Sequence, residues 1–377
     1  MLNPKVSIIL PCRNEEKAVG FCIDNIKKII NKHNIDAEII ASDSSKDKSA
    51  EIAESLGAKV VKHNKKGYGI ALLEGFKAAN GRYIFFADAD CTYEFREIPR
   101  FLHYLKNGYD FVIGNRFKGK IQRGSMPWLH KYLGNPLLSA TLRLFFGARI
   151  HDAHCGMRAI TRKALDKLEL KTTGMEFASE MIIKAIKNRL KIKELNINYY
   201  KRKGKSKLGS FTDGWRHLRF MLMYAPNYLF MVPGISLMII GIFIMVLFLI
   251  GPIKIFGLTL YTHPIIIGSF FAILGYQVIN LGIYARTYAV STGFEKKDKF
   301  IDSIAKYITF EFGLIFGIVL LLIGFFSGLI ILLDWIIRGF PGILKINNII
   351  LILTLGVLGI QTIFSAFFIS ILLVEKR

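Results

Sequence analysis

The stretch Tyr83–Phe95 reads YIFFADADCTYEF. Its first half is a short apolar run suited to a strand buried on both faces. Its second half places two carboxylates, Asp88 and Asp90, one residue apart in a chain with 51 Lys and Arg against 28 Asp and Glu. Residues i and i+2 of an extended segment project to the same side, so the two can face one point. Carboxylates that close repel unless something cationic lies between them. Mg²⁺ or Mn²⁺ is a natural partner, because such ions take hard oxygen donors, often one or two carboxylates plus substrate phosphates. A solvated acidic turn with no ligand is the alternative. The position at the end of a strongly apolar strand favours the metal.

Outward from this stretch, strand and helix patterns alternate. KVSIILP, AEIIAS, AKVVKH and YDFVIG read as further strands, and helices are expected over residues 15–32, 48–56 and 98–106 and after the glycine turn at Gly67 and Gly69. Such alternation predicts an α/β domain with a mainly parallel sheet. Ligands of such sheets bind beyond the carboxyl ends of the strands. Pro11 to Glu15, Asp43, and Asp88 with Asp90 fall at those ends. The glycine turn can bring backbone donors to a phosphate, although turn-making is its commoner use. No GxGxxG follows the first strand, which argues against a dinucleotide dehydrogenase.

The second part of the chain is different in kind. No Asp, Glu, Lys or Arg occurs in 220–253, 255–285, 312–333 or 346–374. Each run can supply the roughly 20 apolar residues that a membrane crossing needs. Spans are expected at about 228–250, 263–285, 311–333 and 348–374, forming a transmembrane domain over 228–377. The segment 211–227, with Trp215, Leu218 and Leu222 on one side and Pro226 at its end, reads as an interfacial amphipathic helix. Residues 1–210 form the preceding domain. Met126–Gly147 reads as a second surface helix or, almost equally, as a core helix.

Charge in the connections predicts orientation. Arg286, Lys296, Lys297, Lys299 and Lys306 lie between spans two and three, and Lys376 and Arg377 follow span four. The other two connections carry only Lys254, and Arg338 with Lys345. The positive-inside rule then puts the N-terminal domain on the cytoplasmic side of the cell membrane. The apolar run at the N-terminus is too short for a signal peptide. Cys12, Cys22, Cys91 and Cys155 show neither metal-ligand spacing nor a disulfide framework, as suits a reducing compartment. The net charge of +23 suits anionic headgroups or phosphorylated substrates better than nucleic acid, because the basic clusters border apolar runs.

VSIILPCRNEE, IIASDSSKDKSAEIA, GYGIALLEGFKAANGRYIFFADAD, VIGNRF, HDAHCGMRAI, EFASEMIIKA and RKGKSKL form an ordered set over nearly all of the first 210 residues. The set resembles the family-2 glycosyltransferases with a GT-A fold, and among them the dolichyl-phosphate and polyprenyl-phosphate hexose synthases. GYGIAL, HCGMRA and SKLGSF resemble the glucosyl-type branch. The resemblance implies an inverting enzyme moving a hexose from a UDP-glucose or GDP-mannose type donor to a lipid phosphate. It implies that Pro11, Arg13 and Glu15 line base and ribose, that Ser42 and Asp43 (or Ser44) reach the base, and that Asp88, Ala89, Asp90 and Lys207 hold the sugar nucleotide. Asp88 and Asp90, with Thr92 where mannosyl-type relatives carry Gln, would bind the metal. Arg116, His130, and Lys201 or Arg202 would grip the acceptor phosphate; Asp90, Arg116 and Arg202 are the implied catalytic set. A processive polysaccharide synthase is disfavoured because no Gln-x-x-Arg-Trp occurs. A catalytically silent lipid-binding or translocation partner is the other alternative.

Overall fold

A computed structural model of the chain describes residues 4–204, 210–249, 251–255, 258–291, 310–339 and 346–374. Lys207 and the orienting charges Lys296, Lys297, Lys299, Lys306, Lys345, Lys376 and Arg377 lie outside the described residues. The chain divides into two compact units, Met1–Tyr224 and Ala225–Arg377.

The first unit is built on a seven-stranded sheet. Its strands are β1 (Val6–Cys12), β2 (Ala37–Asp43), β3 (Lys59–Lys62), β4 (Tyr83–Phe86), β5 (Phe111–Asn115), β6 (Arg158–Thr161) and β7 (Ile192–Asn196), in the order β3-β2-β1-β4-β6-β5-β7. All pairings are parallel except those of β6 with β4 and β5. The central runs that read as strands are buried, while the edge strand β3 is exposed or half-buried along its length. Ile8, Ile9 and Leu10 of β1, Phe85 and Phe86 of β4 and Phe111 to Ile113 of β5 have at most 1 % of their surface exposed. Each such side chain contributes about 1.5–3 kcal/mol of burial free energy.

The helices of this unit are α1 (Val19–Lys32), α2 (Ser49–Ser55), α3 (Tyr68–Ala78), α4 (Ile98–Lys106), α5 (Asn135–Phe146), α6 (Arg162–Leu168), α7 (Phe177–Lys187) and α8 (Ser210–Met223). α1 begins four residues later than its periodicity predicts. Asn14 takes a left-handed φ of 51°, and the Glu15 N–H donates to Ser49 Oγ, so 15–18 is a turn. The 126–147 region holds a wide helical turn, His130–Gly134, running into α5. Its outer face is apolar and open: Trp128, Tyr132, Leu137 and Leu144 are exposed, while Ser139 and Leu142 are buried. α8 turns His217 and Met221 inward and leaves Trp215 exposed; it packs on α5 and α7.

The second unit contains α9 (Val232–Leu249), a short hairpin of β8 (Ile253–Ile255) and β9 (Leu258–Leu260), α10 (His263–Ser291), α11 (Phe310–Ile337) and α12 (Ile346–Val374). Among the described residues four segments are long and apolar enough to cross a membrane: Asn227–Leu249, His263–Tyr288, Phe310–Ile337 and Ile346–Leu373. α10 and α12 are joined by hydroxyl pairs, Ser269 with Thr354, Tyr276 with Thr362 and Tyr284 with Ser365, at 2.5–2.6 Å. Such pairs join helices where no water competes.

Candidate active site

The chain runs from β1 outward through β2 to β3, then crosses to β4 on the other side of β1. That reversal leaves a crevice beyond the carboxyl ends of β1 and β4, where open α/β sheets bind ligands. A cavity of about 450 Å³ opens there, wholly within the first unit. Pro11, Arg13 and Glu15 line it from the end of β1, and Asp88, Ala89 and Asp90 from the end of β4.

Asp90 is buried. Its Oδ1 accepts from the Thr92 N–H at 3.0 Å and from Thr92 Oγ1 at 2.5 Å, a turn that the left-handed Cys91 (φ 64°) closes. The Thr92 hydroxyl therefore orients Asp90, and Thr92 is not among the residues lining the cavity. Asp88 is half-buried, and burial first, then the nearby Asp90, push its carboxyl up to about 7. A Cβ built on Gly156 would lie 2.6 Å from Asp88 Oδ2. Gly156→Ala must therefore turn this carboxylate aside. Any activity that uses this carboxylate is expected to fall at least tenfold with little change in melting temperature, and activity near that of the wild type would show that the carboxylate's position is unimportant.

The pair suits a hard divalent cation: two oxygen donors, one carrying an unfavourable buried charge. Among the described residues no group of three or more His, Cys, Asp or Glu converges. A cation held here would take its remaining oxygens from a substrate or water.

Among the described residues four arginines line the cavity, Arg13, Arg116, Arg202 and Arg216. Arg202 pairs with Glu15 Oε1 and lies 3.5 Å from Asp90 Oδ2. The neighbouring Lys201 is exposed, its N–H donating to Gln122 Oε1, and it does not line the cavity. Of the two basic candidates it is thus Arg202 that joins the site. Arg116 follows β5 and is clamped by Asp152: its N–H and Nε donate to Oδ2 at 2.9 and 2.8 Å, and Nη2 donates to Oδ1 at 2.8 Å. Burial works against its charge, and the Asp152 carboxylate more than restores it, holding Arg116 well above its ordinary value. Its guanidinium also lies 5.2 Å over the Tyr199 ring. His130 lines the same end of the cavity, and burial, then Arg116, lower its pKa.

Other sequence candidates fall elsewhere. Ser42 is fully buried, 3.3 Å from His63 Nε2, and Asp43 is turned onto the N–H and hydroxyl of Ser45; neither lines the cavity, whereas Ser44 does. The glycine turn divides: Gly67 lines the cavity, while the N–H groups of Gly69 and Ile70 donate to the Gly174 and Thr173 carbonyls. Glu180 accepts from Lys171 N, Thr172 N and Thr172 Oγ1, fixing that loop. Sequence reasoning missed Asp152, His154 and His217. The first two lie within the quoted HDAHCGMRAI motif; nothing in the pattern of α8 singles out the third.

Known proteins bear on this arrangement. The description Glycosyl transferase family 2 matches residues 7–169, and Glycosyltransferase family 2 C-terminal transmembrane region matches residues 283–373. The low-salt glycan biosynthesis hexosyltransferase Agl6 of Haloferax volcanii is 38% identical over 97% of this chain and 88% of its own length. The chain belongs to glycosyltransferase family 2. This family-2 enzyme is also 32% identical, over 55% of its chain and 89% of the other, to a dolichyl-phosphate hexose transferase of the same organism. Its fold is similar to that of glucosyl-3-phosphoglycerate synthase from Mycobacterium tuberculosis, with a TM-score of 0.48 and 23% identity over 59% of this chain and 80% of that one. It is a glycosyltransferase with a GT-A domain and a C-terminal membrane region.

Proposed function

We propose that this glycosyltransferase moves a hexose from a nucleotide sugar to a dolichyl or polyprenyl phosphate at the cytoplasmic face of the membrane. The observation that carries the reading is one cavity lined both by paired carboxylates, Asp88 and Asp90, and by arginines, Arg116 and Arg202 among them. A phosphate monoester has its second pKa near 6 and is largely a dianion at neutral pH. As a nucleophile it needs no protein base. The acceptor oxygen bonds to the anomeric carbon as the bond to the nucleoside diphosphate breaks, inverting the centre. The chain's task is control of charge: Arg116 and Arg202 hold two anions in line, and Pro11, Arg13 and Glu15 orient the nucleotide. A divalent ion on Asp88 and Asp90 would stabilise the departing diphosphate. Four spans keep the protein where a polyprenol resides, since each buried CH₂ adds about 0.8 kcal/mol of anchoring.

Incubating the purified protein with labelled sugar nucleotides, polyprenyl phosphate and Mn²⁺ tests this. A labelled lipid product is expected from at least one donor; none from any would favour the silent lipid-binding partner.

The ionisation of Asp88 gives a pH signature. Its folded value of about 7 lies above the roughly 3.9 of an unfolded aspartate. Its contribution to stability is therefore full below about pH 4 and is lost as pH rises through about 7. A bound cation favours the ionised form and reverses that loss. Mn²⁺ with a nucleoside diphosphate should raise the melting temperature more at pH 8 than at pH 6. Equal shifts at both would remove Asp88 from the cation site.

A further inference from the structure

Beside the carboxylates, the cavity wall holds a polar cluster that charge control does not use. His154 lies in the loop before β6, two residues ahead of the glycine that makes room for Asp88, and lines the cavity. The loop is rigidly held. The fully buried Arg158 donates to the Ala153 and Cys155 carbonyls on either side of His154, at 2.8 and 2.9 Å, and to the Ala178 carbonyl of α7 at 3.1 Å. The imidazole is held as well: His154 Nε2 is 3.5 Å from Ser179 Oγ, which is 2.9 Å from His217 Nδ1, and the two rings meet edge to face at 4.3 Å. His154 Nδ1 is buried and, among the described residues, has no hydrogen-bond partner. A buried polar atom left this way calls for a ligand or another explanation.

We propose that His154 recognises a hydroxyl of the transferred hexose, with Ser179 and His217 as positioning residues; this rests on the hexosyl-transfer reading above. Ser179 carries one hydroxyl proton. If it donates to His217, it accepts from His154 Nε2 and leaves Nδ1 an acceptor; if reversed, Nδ1 is a donor. A sugar hydroxyl can satisfy either state, being donor and acceptor at once. A phosphate is a poor match for this wall. Burial, then the neighbouring His217, hold His154 well below its ordinary value, and burial with Arg158 lowers His217 to about 4, so both rings are neutral. The cations that suit phosphate, Arg13, Arg116, Arg202 and Arg216, are separate groups on the same cavity. Asp88, Gly156 and His154 line the same cavity, and a Cβ on Gly156 would lie 2.6 Å from Asp88 Oδ2.

The test uses the full-length enzyme and 2-, 3-, 4- and 6-deoxy analogues of the sugar nucleotide it transfers. The wild type should disfavour one deoxy donor by roughly tenfold or more. His154→Ala should lose about the same factor with the parent donor and become indifferent to that one deoxygenation. His154→Gln, which keeps a donor and an acceptor, should retain part of the discrimination, and Ser179→Ala should weaken it. Affinity for the free nucleoside diphosphate and KM for polyprenyl phosphate should not move. Undiminished discrimination in both His154 variants, with transfer intact, overturns the role of His154 alone, as does a change confined to the lipid phosphate. A wild type that transfers no sugar from any nucleotide overturns the hexosyl-transfer reading and this inference with it.

Discussion

Asp90→Asn should reduce transfer by about a thousandfold or more while the protein melts close to the wild-type temperature. The size follows from removing charge stabilisation at a leaving group, where single preorganised contributions reach about 10²–10³ in rate, together with the cation that the paired carboxylates would hold. The asparagine separates two jobs of this side chain. Its amide oxygen still accepts from the Thr92 N–H and hydroxyl, the bonds that shape the turn, so the turn is kept while the charge and the Oδ2 acceptor facing Arg202 are lost. Asp90→Ala removes both, and should add a stability cost of about 1–3 kcal/mol for the donors left unpaired. Labelled lipid product and a thermal melt with and without Mn²⁺ give the two readouts. If Asp90→Asn keeps more than a tenth of wild-type transfer in metal-containing buffer, the pair is not the cation site and the mechanism must find another way to stabilise the diphosphate.

The same turn shows how far the sequence could be read. The strands were legible because they are covered on both faces, which turns β1, β4 and β5 into unbroken apolar runs. Asp88 and Asp90 were legible because they interrupt such a run at its carboxyl end. β6 and β7 were not: β6 opens on Arg158, a charge that sequence reasoning keeps at the surface and that here is fully buried on backbone carbonyls, and β7 is only half-buried over Ile192 to Glu194. α8 was legible as amphipathic, but its buried side holds His217 and Met221 while Trp215 stays exposed. Periodicity gives an axis of amphipathicity, and packing against α5 and α7 decides which polar residue may enter the interior. Between Asp43 and Ser44, and between Lys201 and Arg202, the choice turned on one residue of register. A strand end or loop reverses side-chain direction at each step, so only the fold could separate them.

Asp152→Ala should cost the first unit about 3–5 kcal/mol, because it strips the counterion from a buried guanidinium. The geometry leaves little room for compensation. Three donors of Arg116, including its backbone N–H, converge on Asp152, whose side chain has no exposed surface. For a unit of this size that corresponds to a fall in melting temperature of roughly 6–20 °C. Arg116→Ala leaves the carboxylate without its partner and should be destabilising for the same reason. The discriminating variant is Asp152→Ala with Arg116→Met. If the cost arises from an uncompensated charge, removing both charges must recover stability relative to Asp152→Ala, giving a coupling of at least about 1 kcal/mol in a double-mutant cycle. If it arises from lost packing, the double variant should be the least stable of the set. Transfer has a separate logic: every variant lacking Arg116 should use polyprenyl phosphate poorly, including the restabilised double, because a thioether fills space but cannot grip a phosphate. Thermal melts of the full-length protein and KM for the lipid phosphate thus read the two contributions of one ion pair independently. A double variant that recovers both stability and acceptor use would remove Arg116 from the reaction.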